Sequence, residues 1–196
     1  MSLAQRRPCL LAAVIGAFAT AASLAPAPSN ALLGAAPAVA GEPVAHAAGA
    51  CSGASARISK ASPRKLRSAL LCLVNRKRAA NGLKALRLDR KLQRAAGRHA
   101  RDMVKHDYFA HQRDGGPDLA QRLDRVGWSG SAWGENIAYG CGSASSPKAT
   151  LRMWMNSPSH RDVLLSGTYR RGGLGVGAEA PCGGDGAIWV LDVGKK

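Results

Sequence analysis

A chain of 196 residues has room for one domain of ordinary size plus a leader. Its 28 Lys and Arg stand against 12 Asp and Glu, a formal charge of +16. Such a field governs association rather than fold, and no P-loop, dinucleotide-binding glycine fingerprint or internal repeat accompanies it.

Residues 1–50 read as a leader. Arg6 and Arg7 open it, an apolar run from Cys9 to Ala25 follows, and an Ala/Pro-rich stretch leads to Ala50. A basic start, a short apolar middle and small-residue cleavage options such as Ala38-Val39-Ala40 predict a secretory signal peptide. The competing reading, an uncleaved membrane anchor, is disfavoured because Gly, Ala and Ser make the run weakly apolar. Pro8-Cys9 makes the arginine pair a poor twin-arginine signal. Residues 51–62 are then expected to form an N-terminal strap, and 63–196 the folded domain. Loss of Cys9 leaves Cys51, Cys72, Cys141 and Cys182, an even set that predicts two disulfides in an exported protein. Four cysteines allow three pairings. Cys51–Cys72 is favoured because it ties the strap to the first helix, which leaves Cys141–Cys182; lipidation at Cys51 lacks a convincing lipobox.

Cleavage removes Arg6, Arg7 and Glu42 and leaves a charge of +15. Between Arg57 and Lys105, 16 basic residues face only Asp89 and Asp102. Nucleic acid would be the default partner of a cytosolic chain so charged. For an exported one, the basic face of residues 57–105 is expected to meet anionic cell-wall polymers or lipid headgroups, with no specific nucleic acid and a monomeric chain. The plainer reading of the same residues is an Arg-rich solvated face.

Ser62-Pro63 predicts the N-cap and first residue of a helix carrying Leu66, Leu70, Leu73 and Val74 at helical spacing, stopped by Asn81-Gly82. Asp89 predicts the cap of a second helix with Leu92, Ala95, Ala96, His99 and Met103 on its inner face. A third, shorter helix is expected over Pro117 to Val126. A Gly-, Ser- and Trp-rich loop delivers Gly134-Glu135-Asn136-Ile137-Ala138-Tyr139, and Ser146-Pro147 opens a helix with Leu151, Trp154 and Met155. Ser157-Pro158 starts one more turn through His160 to Leu165. Leu174 to Ala178 and Ala187 to Val193 read as β-strands around a Gly-rich connection. Helices followed by antiparallel strands predict an α+β domain.

Of five histidines, His46 falls in the leader, His99 reads as a half-buried core residue, and His106 suits the dipole at a helix end. His111 and His160 sit where regular structure breaks, with Glu135 between them. Two imidazoles and a carboxylate suit Zn²⁺, although about two dozen residues separate neighbours in this set and no H-E-x-x-H helix is present.

Tyr108-Phe109-Ala110-His111, Gly134-Glu135-Asn136-Ile137-Ala138 and Trp154-Met155-Asn156-Ser157-Pro158-Ser159-His160-Arg161 resemble three signature segments of the CAP superfamily, in the family's order. That superfamily comprises cysteine-rich secretory, antigen 5 and plant pathogenesis-related class-one proteins. Asn75-Arg76, Leu88-Asp89, Gly173-Leu174-Gly175-Val176-Gly177 and Trp189-Val190-Leu191-Asp192 extend the likeness over Leu66 to Gly194. It is closest to the bacterial SCP-like extracellular branch. The resemblance implies an α-β-α sandwich with a three-stranded antiparallel sheet between helical layers. It also implies a ligand cleft of His111, Glu135, Asn136, Ser157 and His160, in which His111 and His160 hold Zn²⁺. Eukaryotic members carry a second glutamate where this chain has Ser157, so a mechanism needing two carboxylates is weakened.

Two functions follow. One is a secreted binding module at the cell envelope or outside it, its cleft holding a metal or small ligand. The other is a metal-assisted hydrolase with Glu135 as general base. A Ser157 nucleophile lacks a third group to orient His160, and the serine equally suits capping the turn at Pro158. A secreted nuclease has charge in its favour and no motif. Trp154 and Trp189 read as core, whereas Trp128 and Trp133 border the Glu135 segment and are candidate groove walls.

Overall fold

The computed structural model describes residues 50–178 and 182–196. The signal peptide, its cleavage options and His46 lie outside them. Helix α1 (Pro63–Ala79) starts where the Ser62 hydroxyl accepts the Lys65 N–H, with Pro63 in the position that needs no donor. Helix α2 (Arg90–Lys105) is capped by Asp89, whose carboxylate accepts the N–H groups of Lys91 and Leu92. Its whole predicted inner face, His99 included, is buried.

Helix α3 (Leu119–Asp124) is shorter than expected at both ends. Asp118 and Gln121 form a reciprocal capping box, which leaves Pro117 outside. The N–H groups of Val126 and Trp128 both turn back onto the Leu123 carbonyl, around Gly127 at φ 66°. Helices α4 (Pro147–Asn156) and α5 (Pro158–Leu165) follow as the two Ser-Pro pairs predict.

The sheet corrects the three-stranded antiparallel expectation. Among the described residues it has four strands in the order β1-β3-β4-β2: β1 (Arg87–Leu88), β2 (Ala132–Cys141), β3 (Arg171–Ala178) and β4 (Gly186–Lys195). Strands β2, β4 and β3 are antiparallel, but β1 lies parallel on the outer edge of β3. Two residues cannot show an alternating pattern; they pair because the chain runs along that edge on its way to the Asp89 cap.

Pleating divides the core. Trp189, Leu191 and Val193 of β4, with Leu174 and Val176 of β3, pack against Leu66, Leu70 and Val74 of α1, Trp154 of α4 and Leu164 of α5. On the opposite face Ile188, Val190 and Ile137 meet Ala96, Ala100 and Met103 of α2. The helix–sheet–helix sandwich is thus formed, and the sheet it encloses is mixed.

Over β3 the α2 layer has no side-chain cushion. A Cβ built on Gly173 would lie 2.0 Å from the Gln93 nitrogen, and one on Gly175 2.2 Å from the Ala96 oxygen. Only glycine permits this approach of backbone to backbone.

Arg78 of α1 is fully buried, and among the described residues no carboxylate pairs with it. It donates to the carbonyls of Lys84, Leu164, Ser166 and Tyr169, at 3.0, 2.6, 3.0 and 3.1 Å, and so fastens α1 to the α5–β3 connection. Burial, and then the charge of Arg170, hold its pKa below the ordinary guanidinium value. Both disulfides form as favoured: Cys51–Cys72 ties the strap to α1, and Cys141–Cys182 joins the end of β2 to the turn before β4.

Candidate ligand cleft

His111 lies in the loop between α2 and α3. The chain enters that loop through Asp107, at φ 51°, a left-handed conformation that Asp tolerates better than most residues. Glu135 stands on β2 and is reached from three sides. Its Oε1 is 2.7 Å from His111 Nδ1, its Oε2 accepts from Arg122 Nη2 at 2.6 Å, and His99 Nε2 lies 3.8 Å from the same Oε2. Arg122 also donates to the His111 carbonyl at 2.6 Å, so one guanidinium holds both the carboxylate and the backbone of its histidine partner.

Burial alone would raise the Glu135 pKa, but the His111 hydrogen bond and the Arg122 charge pull it below the ordinary value. An ionised Glu135 accepts the Nδ1–H of His111, which leaves Nε2 as the ring nitrogen available to a ligand. The glycine before Glu135 is needed for packing: a Cβ on Gly134 would come 2.9 Å from the Tyr169 hydroxyl, which donates to the Trp133 carbonyl.

His160 sits in the first turn of α5, with Nδ1 2.8 Å from Ser157 Oγ and its carbonyl accepting from Asn136 Nδ2 at 2.8 Å. Its pKa is lowered by burial and then by the charge of His111, to which it is close enough to respond. Ser157 is the N-cap residue of α5, yet its hydroxyl makes no capping bond; it is engaged by His160. The capping expectation therefore fails, and among the described residues no carboxylate or carbonyl contacts the other nitrogen of His160 to complete a triad. All five expected cleft residues are thus linked in two groups: His111 with Glu135, and Asn136 and Ser157 with His160. Among the described residues no three His, Cys, Asp or Glu side chains gather as a metal cluster.

Three residues of this region were not assigned to it from sequence. Arg122 falls in the apolar stripe of Leu119, Leu123 and Val126, a charge on an inner face that was a readable signal. Asp192, directly opposite Glu135 in the β2–β4 register, interrupts an apolar strand and is fully buried. Among the described residues no donor reaches either of its oxygens. Burial, and then the Glu135 charge, hold its pKa well above the ordinary value, so a neutral Asp192 has a proton to offer its neighbour. His99 is the buried core residue expected, but it faces this acid pair; burial lowers its pKa. A cavity of about 250 Å³ behind these groups is lined by His99, Asp102, Tyr108, Arg113 and Arg122. His106 is the C-cap residue of α2 and binds the Asp102 side chain.

Trp154 and Trp189 are core residues, donating to the carbonyls of Ile137 and Ser145. Trp128 is not a groove wall: it is buried with Leu92, Leu123 and Val126. Trp133 is exposed, and Phe109 and Tyr139 form a second exposed aromatic group, rings edge to face at 5.0 Å.

Residues 71–193 match the model of the Cysteine-rich secretory protein family. The uncharacterized protein YkwD of Bacillus subtilis is 33% identical over 124 residues, covering 63% of this chain and 45% of that protein. The uncharacterized membrane protein YlbC of the same organism is 35% identical over 107 residues, or 55% and 30%. The chain therefore spans less than half the length of these curated relatives. Among solved structures, an extracellular protein containing a SCP domain from Bacillus anthracis is 28% identical, with a TM-score of 0.55 over 69% of this chain and 44% of that one. An outer surface protein of Borrelia burgdorferi, 22% identical, shares the fold with a TM-score of 0.57 over 65% and 90%. With the motifs in order and the sandwich formed around them, the chain belongs to the cysteine-rich secretory protein (CAP) family, in its bacterial SCP-like branch.

Proposed function

We propose that the protein is a secreted or envelope-associated binding module whose cleft takes a divalent metal or small ligand between His111 and His160. The observation that carries this reading is the ring nitrogen left free on each histidine. Glu135 engages Nδ1 of His111, Ser157 engages Nδ1 of His160, and each Nε2 remains for a ligand. Zn²⁺ would be held by these two nitrogens, and when bound it would supply Lewis acidity at the cleft. Glu135 orients His111 and fixes its tautomer. Both Glu135 oxygens are engaged and the side chain is 3% exposed, so it is poorly placed as the general base of a hydrolase. This favours binding over the alternative, metal-assisted hydrolysis. Export is supported by the leader, the two disulfides, and similarity to a protein described as extracellular. The basic faces of α1 and α2 would draw the molecule to anionic wall polymer or lipid.

Calorimetric titration of the oxidised full chain with Zn²⁺, beside His111→Ala and His160→Ala, tests this. Saturable binding that each substitution abolishes is the expected result. A folded, oxidised protein that takes up no Zn²⁺ would end the metal reading.

A further inference from the structure

Beyond β1 the outer edge of β3 has no strand neighbour among the described residues, and side chains of α1 and α2 overhang it, leaving Leu174 and Val176 at 2% and 8% exposure. On that edge the N–H of Asp89 donates to the Gly172 carbonyl at 2.9 Å, and β1 ends there as the chain turns into α2. Alternation along the strand turns the backbone groups of Leu174 and Val176 toward the same edge, where among the described residues no strand follows.

Arginines border this edge on two sides. Arg90, Arg94 and Arg101 recur on one stripe of α2, and with Leu174 and Val176 they line a groove of about 440 Å³. Arg64 and Arg67 on α1 line its continuation. Among the described residues none of the five forms an ion pair or donates a side-chain hydrogen bond, and no acid lines either stretch. Arg67 and Arg101 repel each other closely enough that burial and then Arg101 lower the Arg67 pKa.

We propose that this edge is a docking slot for an extended acidic peptide, which adds to the sheet beside β3 with its carboxylates directed alternately to the α1 and α2 arginines. An incoming strand lies about 4.8 Å from β3, and its side chains alternate between the two faces of the sheet. Those faces are where the two arginine rows stand. Each carboxylate could take a charge-assisted bond from a guanidinium that has none. The occupant is not this chain's own leader, since residues 1–49 contain only one acid, Glu42. A second copy is opposed by a charge of +16 on each molecule. The inference is independent of the His111–His160 cleft.

The test is fluorescence anisotropy with the oxidised full chain and three probes. They are a labelled octapeptide of alternating glutamate and threonine pairs, the same peptide N-methylated at every second residue, and inorganic polyphosphate as competitor. The octapeptide is expected to bind. N-methylation removes the strand bonds and is expected to weaken it about tenfold, as is Arg67→Glu with Arg101→Glu. The double variant replaces one like-charge pair by another, now set among the remaining arginines, and should keep its fold, which circular dichroism and a cooperative thermal transition would verify. If the octapeptide fails to bind, the arginines only guard the edge against unwanted pairing, and the proposal falls. It falls equally if N-methylation is harmless and polyphosphate displaces the peptide at matched charge, because the slot would then recognise charge alone.

Discussion

At position 192 an acid occupies a strand residue whose neighbours Leu191 and Val193 are both buried apolar side chains. It lies beside Glu135, with the Arg122 guanidinium as the nearby cation. Because its folded pKa is raised, Asp192 stays neutral where the unfolded chain would ionise. Its contribution to stability is therefore full below the unfolded value of about 4 and is lost as pH rises toward the folded value. Asp192→Asn keeps the shape and a donor toward Glu135 while removing the titration. It is expected to raise Tm at pH 7, at about 2–4 °C per kcal/mol for a chain of this size, and to change it little at pH 3. Calorimetry at both pH values decides; an equal shift at the two would show that the proton is not held there. Glu135 works in the opposite sense. Its lowered pKa contributes stability above the unfolded value, which is lost as acid protonates it.

Among the elements, the contact between α2 and β3 is the least forgiving. Gly175→Ala would place a methyl against the Ala96 carbonyl, a backbone atom that cannot swing aside. The expected cost is about 1–3 kcal/mol or more, read as a fall in the urea midpoint. Gly142→Ala meets open space at its turn, and its cost should come only from the positive φ of 56°. A midpoint at Gly175 no lower than that of Gly142→Ala would mean that the helix can lift off the strand. The helices were legible because caps and periodicity are local: Ser62-Pro63, Asp89 and Ser146-Pro147 each begin an element where expected. Strand β1 was not, since two residues leave no period. Asp118 set the start of α3 through a reciprocal bond with Gln121 that a Pro117 start overlooked. At the cleft, motif resemblance found the histidines and Glu135. It could not supply Arg122 or Asp192, whose roles arise from partners 13 and 57 residues away in sequence.

For the whole molecule the decisive quantity is the uneven charge. The basic surplus lies on α1, α2 and the segments beside them, and no helix of the described residues is long and apolar enough to cross a membrane. The basic surplus leads to the expectation that these faces attach to an anionic surface electrostatically. Raising salt from about 0.1 M to about 1 M shortens the screening length from about 10 Å to about 3 Å. Sedimentation with vesicles containing phosphatidylglycerol should show binding at the lower salt and its loss at the higher, with no binding to neutral vesicles. Binding that survives high salt would shift attention to the exposed Phe109–Tyr139 pair.

The glycine-to-backbone seat of α2 also bears on how the protein can respond to a ligand. Helices that ride on interdigitated side chains can slide by small rotamer changes, as in shear motions. Over β3, α2 has no such layer to yield, so helix and sheet are restricted to moving as one body. The loop between α2 and α3, which begins at the left-handed Asp107 and carries His111, is then where adjustment must be absorbed. Ligand capture at the cleft becomes a local event hinged on that loop, and the α2 arginines are expected to keep their place along the far edge of the sheet whether the cleft is filled or empty.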